Sequence, residues 1–356
     1  MKKSFATLFT VALVVGLAIL AGPAFGAAVA TLPALSAVDL AALHQSPDLM
    51  QFALAGIVVT PASLNAIFTG FKANFQQGFD SLGEQGAMYE QYCTTVPSTT
   101  AVEVYPWLKS LPRLREWIGD RVIHSLEGGD FSIKNRKFEL TEGVERDAID
   151  DDTYGLYGPT FQEFGRSSRE HPNELAVEVL ESNPLCFDGQ NLFDSDHPVL
   201  DASGAEQSVS NDMGGSGPAW YVMDLSRAIK PLVFQKRRGY GFRALTNLND
   251  SEVFLKDKFL FGTDARVNVG PGLWMLVVRS KQTFNAANYA LARARLTAMT
   301  GDYGRPLALR HTHTMVPSNM EGVARKVLVN HLATAGETNE WAGTSQLVIN
   351  PWLAQS

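Results

Sequence analysis

Tyr105-Pro-Trp-Leu-Lys-Ser-Leu-Pro-Arg-Leu-Arg-Glu-Trp-Ile-Gly-Asp-Arg121 opens the stretch around which the chain is organised. It continues through Phe131-Ser-Ile-Lys-Asn-Arg-Lys-Phe-Glu-Leu140 to an acidic corner, Arg146-Asp-Ala-Ile-Asp-Asp-Asp152, and ends in a helical segment from Gly155 to Asn183. A polar, extended excursion therefore runs straight into one long helix. Compact enzymes seldom spend about 50 residues on an open connection, because long loops are uncommon within single domains. A protein that must reach its neighbours does. Phe131 and Ile133 alternate on one face, whereas Phe138, Leu140 and Val144 sit at even positions. The face switches near Lys134-Asn-Arg136, which predicts a bulge or a hairpin there. Tyr157, Phe161, Phe164, Leu175, Val179 and Leu180 form the apolar stripe of the helix, and Pro172 is expected to kink or restart it. The acidic run at Asp150 to Asp152 suits the positive end of that helix better than a metal ion, since three adjacent carboxylates cannot all face one ion.

On the N-terminal side, Thr60 and Pro61 start an amphipathic helix through Leu64, Ile67, Phe68, Phe71 and Phe75, expected to end at Gly78 and the Gly83–Gly86 region. Ile57-Val-Val59 reads as a short strand before it, and Tyr92 to Val104 as extended. Further out, Lys2 and Lys3 precede an apolar run from Phe5 to Ala21, broken by Gly22-Pro23 and followed by small residues at Ala24 to Ala27. That is the pattern of a secretory signal peptide. The run is a little short for a membrane-spanning helix.

On the C-terminal side, Pro184 to Gly217 is loop-like. Trp220 to Phe234 and Arg243 to Val278 carry the period-two alternation of strands, in Trp220, Val222, Val253, Leu255, Phe259, Phe261, Trp274, Leu276 and Val278. Lys236-Arg-Arg238 between them reads as a solvated basic turn. A helix from Asn285 to Thr300, stopped by Gly301, is followed by a strand from Leu307 to Val316. Ser318-Asn-Met-Glu321 reads as a capping box opening a helix on Met320, Val323, Ala324, Val327, Leu328, His331 and Leu332. Gln346 to Leu353 closes the chain as a strand.

The 356 residues are 45% hydrophobic and 19% charged, which is globular composition, and suit two domains or one with an arm. A net charge of −7 argues against binding nucleic acid through a basic face. Cys93 and Cys186 make neither a disulfide framework nor a zinc cluster, and two buried thiols fit them best. His311 and His313 share a face of the predicted strand, but spacing places no third metal ligand beside them. Asp194, Asp196 and His197 have the residue types of a hydrolytic metal centre, although a loop rich in Asp and Pro accounts for them more simply. Ser216 lacks a Gly-x-Ser-x-Gly context, and no phosphate-binding glycine loop, His-Glu-x-x-His or dinucleotide fingerprint is present. No catalytic, cofactor-binding or metal-binding residue is assigned, and no cofactor is expected.

A set of short runs stands in one order along the chain: Ile57-Val-Val-Thr-Pro-Ala-Ser-Leu64, Trp107-Leu108, Leu114-Arg-Glu-Trp-Ile-Gly-Asp-Arg121, Lys137-Phe-Glu139, Asp151-Asp152 and Gly155-Leu-Tyr-Gly-Pro159. They continue with Phe161-Gln-Glu-Phe-Gly-Arg166, Asp188-Gly-Gln190, His197-Pro198, Ser226-Arg-Ala-Ile-Lys-Pro231, Phe259-Leu-Phe-Gly262 and Val316-Pro317. By these runs, in this order, the chain resembles a known family, the major head subunits of Mu-like phages and prophages.

The resemblance implies an α+β, Hong Kong 97-type capsid fold. Its parts would be an arm with a helix over 57–100, an extended loop over 101–145, a spine helix and peripheral sheet over 146–280, and a mainly axial α/β domain over 281–356. Residues 1–27 would be the signal-like segment and 28–56 a linker. The implied function is self-assembly through pentamers and hexamers into an icosahedral shell for double-stranded DNA, touched without sequence-specific contact. The implied partners are a scaffold, a maturation protease and a portal. The implied places are the virion capsid and, during assembly, the host cytoplasm, with which the signal-like opening conflicts. Three accounts fit that opening: translation starts at Met50, the extension is removed or used in assembly, or it is a true export signal. Lys134 and Asn135 lie in the extended loop, but their presence predicts no crosslink. The competing expectations are an encapsulin-like compartment enclosing an enzyme, and a secreted metal-dependent hydrolase using Asp194, Asp196 and His197.

Overall fold

The computed structural model describes residues 61–105, 131–150, 157–332 and 336–354. The signal-like segment, Ile57–Val59, the apolar residues Trp107 to Ile118, and Asp151-Asp152 lie outside the described residues. Helix α1 (Pro61–Ser81) runs on past Gly78, where the sequence predicts its end. Gly78 serves close packing instead: a Cβ there would collide with the carbonyl oxygen of Gln162. Short helices α2 (Gly83–Gly86) and α3 (Tyr89–Tyr92) lead into β1 (Cys93–Pro97) and β2 (Val102–Val104). β3 (Ser132–Lys134) and β4 (Arg136–Glu145) are separated by the single residue Asn135, so the change of face is a one-residue break and not a hairpin.

After α4 (Arg146–Asp150) comes α5 (Tyr157–Ser182), 26 residues or roughly 39 Å long at 1.5 Å per residue. It is continuous through Pro172. The neighbouring Asn173 is fully buried, with Oδ1 accepting from the Tyr89 amide at 2.8 Å and Nδ2 donating to the Gly86 carbonyl at 3.2 Å. These tertiary bonds hold the helix where its own ladder lacks the proline N–H.

The segment expected to be loop holds a hairpin, β5 (His197–Leu200) with β6 (Glu206–Val209), and strand β7 (Asp212–Gly215). Each of these strands is only four residues long, too short for an apolar alternation to announce it. β8 (Trp220–Met223) and β9 (Leu232–Leu245) follow. Lys236, Arg237 and Arg238 are strand residues inside β9 and not a turn; all three are exposed, which explains their polarity. The turn comes later and holds α6 (Ser251–Lys256), so Val253 and Leu255 are helical and not strand residues.

β10 (Lys258–Pro271) alternates cleanly, with Phe259, Phe261, Ala265 and Val267 inward. A 3-10 turn at Trp274–Leu276 precedes β11 (Val277–Lys281). Asn285 caps α7 (Ala286–Thr297), accepting from the Asn288 amide at 2.8 Å. Gly301 does not cap this helix but pairs in β12 (Thr300–Gly301) with β13 (Arg305–Pro306). β14 (His313–Pro317) is shorter than expected, since Ala308 takes a left-handed φ of 50° before it. Ser318–Met320 is a 3-10 turn with no side-chain cap bond, so the capping box does not form, and α8 (Glu321–Leu328) stops before His331. β15 (Gln346–Asn350) is the last strand.

A five-stranded sheet has the order β15-β14-β8-β11-β7, with β14/β15 and β11/β7 parallel and the pairs around β8 antiparallel. A four-stranded sheet has the order β1-β9-β10-β4, with β1 parallel to β9. The chain divides into two units, and α1, β4, α5, β9 and β10 give residues to both. Unit 1 (1–78, 141–164 and 243–261) has an aromatic core in which Phe161 stacks on Phe71 at 4.3 Å between ring centres and meets Phe261 at 5.2 Å. Unit 2 (79–140, 165–242 and 262–356) holds the larger core, built on Trp220, Tyr221, Leu180, Phe234, Val267, Tyr289 and Met315.

Candidate functional site

The histidines singled out for chemistry lie in two separate surroundings in unit 2, and a third polar group is built on Asn135. His197 opens β5 and is fully buried. Its Nδ1 faces Asp188 Oδ2 at 2.7 Å and its Nε2 faces Asn211 Oδ1 at 3.2 Å. The ring lies flat on Trp274, with centres 3.8 Å apart. Asn211 is held in place by donating to the Leu192 and Trp274 carbonyls and accepting from the Asp194 amide. Neither imidazole nitrogen is left for a metal. Asp194 accepts from the Ser195 amide, and Asp196 bonds Ser208, so the three residue types do not converge. His197 instead joins Asp188, Asn211 and Trp274 in a buried post that ties the 186–197 loop to the residue before β7 and the 3-10 turn before β11. Asp188, Asn211 and Trp274 are its decisive members, and sequence spacing does not reveal them.

His311 and His313 also part company. His311 is buried, with Nδ1 3.2 Å from the Tyr289 hydroxyl and Nε2 3.0 Å from Thr314 Oγ1. Burial, then the charge of Arg293, pushes its pKa down to about 4. His313 Nδ1 instead meets Thr312 Oγ1 at 2.9 Å, and burial lowers its pKa too. Among the described residues, no group of three or more His, Cys, Asp or Glu could hold a metal ion. Ser216 is exposed in the bend that follows β7. Cys93 and Cys186 are free and buried, and burial raises both thiols.

The third group lies at the base of the 105–131 excursion. β2 pairs with β3 in antiparallel register, Val102 opposite Lys134. Asn135 is buried; its Nδ2 donates to Ser98 Oγ at 2.8 Å and to the Thr100 carbonyl at 2.9 Å, while its amide donates to Ala101. The Glu103 carboxylate accepts from the amides of Thr99 and Thr100 at 2.7 and 2.8 Å. Those amides, Thr100 first, hold its pKa down to about 2. Arg136 donates to both oxygens of Glu178 at 3.0 and 2.8 Å and lies over the Phe138 ring, which joins β4 to α5. β2 and β3 are thus fastened to each other, to the 98–101 segment and, through Arg136, to α5. Glu163, Glu174, Glu178 and Glu181 line the exposed stripe of α5, and burial followed by the Glu170 charge raises Glu174.

These features fasten and shape the chain. Residues 64–353 match the family described as Mu-like prophage major head subunit gpT. The major capsid protein of Escherichia phage Mu is 38% identical over 308 residues, covering 83% of this chain and all of that protein. The FluMu prophage major head subunit of Haemophilus influenzae is 38% identical over 283 residues, covering 77% of this chain and 91% of that one. A chain of the bacteriophage JBD30 procapsid superposes with a TM-score of 0.72 at 38% identity, covering 83% of this chain and all of that one. The chain belongs to the Mu-like major head subunit family: it is a major capsid protein with a Hong Kong 97-type fold.

Proposed function

We propose that copies of this chain close into an icosahedral shell of pentamers and hexamers that holds double-stranded DNA, and that they do so without a catalytic step. Likeness to the whole of a procapsid chain, at 38% identity over 83% of this chain, is the observation that carries this reading. A lattice of identical subunits needs each copy to offer one surface to a different surface of the next, so that rotations close. The parts divide the work as follows. Residues 57–100 form an arm, 101–145 an extended loop over neighbours, 146–280 the spine helix and peripheral sheet, and 281–356 the mainly axial domain. The fastened base formed by Asn135, Glu103 and Arg136–Glu178 supports the loop assignment, because an arm that grips a neighbour must be anchored at its root.

A scaffold, a maturation protease and a portal are the partners such a shell needs, and the host cytoplasm is where it would form. The net charge of −7 and the carboxylates along α5 support contact with DNA that is neither adhesive nor sequence-specific. The test is to express the full chain with a scaffold and examine the lysate by negative-stain electron microscopy. Uniform hollow shells are expected. Soluble monomers alone, with the scaffold present, would overturn the reading.

A further inference from the structure

α6 stands between the ends of β9 and β10 in unit 1. Val253 is buried and anchors it, and Asp257 ends it with a left-handed φ of 50°. The two residues after Val253 face the other way: Phe254 is 80% exposed and Leu255 is 75% exposed, more than any other large apolar side chain among the described residues. Leu245, at the end of β9, is 37% exposed. Successive helix positions project about 100° apart, so Phe254 and Leu255 present a broad apolar knob and not a single stray side chain. The largest apolar patch on a soluble protein is often a functional one.

The area of the knob says what kind of contact it suits. A buried aromatic side chain removes about 150–250 Å² from water, so this knob offers a few hundred Å². A stable pair of proteins buries about 1,200–2,000 Å². Two free subunits would therefore not stay joined by it, yet it adds usefully to a contact formed once per copy around a rotation axis, beside many other joints. Apolar groups carry no sign, so equivalent knobs can pack on one another where equivalent charged patches would repel.

We infer that Phe254 and Leu255 are an assembly contact, meeting the same two residues of neighbouring copies in the closed shell. This rests on the shell reading above. Two variants of the full chain test it. The two native cysteines are both buried, so F254C places the exposed thiol where a short bifunctional maleimide can read it. F254C shells should give copy-to-copy crosslinks, and dissociated F254C subunits should give none. A chain carrying F254D and L255D should melt as the wild-type subunit does, yet yield about tenfold fewer shells or less.

Wild-type shell yield from the double variant would overturn the inference. So would an F254C thiol that stays freely reactive in shells without crosslinking, or one that is shielded without crosslinking. The last result would mean that the residues before Pro61, or another patch of a neighbour, cover the knob. Failure of the wild-type chain to form shells would count against the shell reading and would be seen before either variant is read.

Discussion

His311 should make the subunit lose stability in mild acid, by an amount that its surroundings set. The ring is buried between the Tyr289 and Thr314 hydroxyls. A neutral imidazole has one donor and one acceptor nitrogen, and hydroxyls can serve both. A charged imidazole there would have to shed most of its hydration beside Arg293, and the folded pKa falls from 6.5 to about 4. The unfolded chain thus takes up a proton before the folded one does. The stabilisation is fully present above pH 6.5 and is lost as pH falls towards 4. At 1.36 kcal/mol per pKa unit the loss is about 3 kcal/mol when complete, and about 2 kcal/mol at pH 5.

The perturbation is His311→Gln, which keeps one donor and one acceptor but does not titrate. Urea unfolding of unassembled subunits at several pH values between 7.5 and 4.5 reads the effect, since His171, His313 and the carboxylates are common to both proteins. The wild-type protein should lose about 2 kcal/mol more than H311Q between pH 7.5 and 5. Parallel curves would refute the reasoning, because they would mean that the histidine is charged with equal ease in both states.

Three further outcomes follow from the packing. Phe161→Ala empties the centre of the Phe71, Phe164 and Phe261 cluster and should cost about 3–5 kcal/mol in denaturant unfolding; a loss below about 1 kcal/mol would contradict the stacked core. Gly78→Ala should sharply reduce soluble folded protein, since its Cβ would meet the Gln162 backbone, and normal yield with unchanged melting would show that the helices are not so close. Cys93 and Cys186 should resist a thiol reagent such as dithionitrobenzoate in the native subunit and react fully in denaturant; rapid native labelling of either would refute their burial.

The long amphipathic helices were readable because their apolar spacing is set by burial, and burial is what forms them. α1 and α5 appear within a few residues of the expected bounds. Misreadings occur where a local pattern has two physical causes. Val253 and Leu255 alternate as strand residues do, but a six-residue helix carries them, with one inward and one bare. Lys236, Arg237 and Arg238 resemble a turn because they are exposed, and exposure is equally what a solvent-facing strand segment has. Ser318 and Glu321 have cap spacing, yet a 3-10 turn takes up the residues between them. The candidate metal residues show the same limit. Types and spacing are visible for Asp194, Asp196 and His197, but side-chain direction is not, and His197 turns to an aspartate nine residues earlier in the chain.

The bonds that sequence spacing did not reveal share one purpose. The Asp224 carboxylate, buried, accepts from the amides of Ser226 and Arg310 and so joins two irregular segments. Asn339 Nδ2 donates to the carbonyls of Val327 and Asn330, which closes the turn after α8. His197 with Asn211, and Asn173 with Gly86, do the same for other loops. Each replaces ladder bonds that a loop cannot make for itself, and leaving such groups unpaired would cost about 1–3 kcal/mol apiece. A shell subunit needs this more than most proteins. Its contacts with neighbours are many and individually weak, so their sum counts only if every copy presents them in the same geometry. Rigid loops keep that geometry the same from copy to copy, and a loose body would forfeit contact area to entropy at every joint.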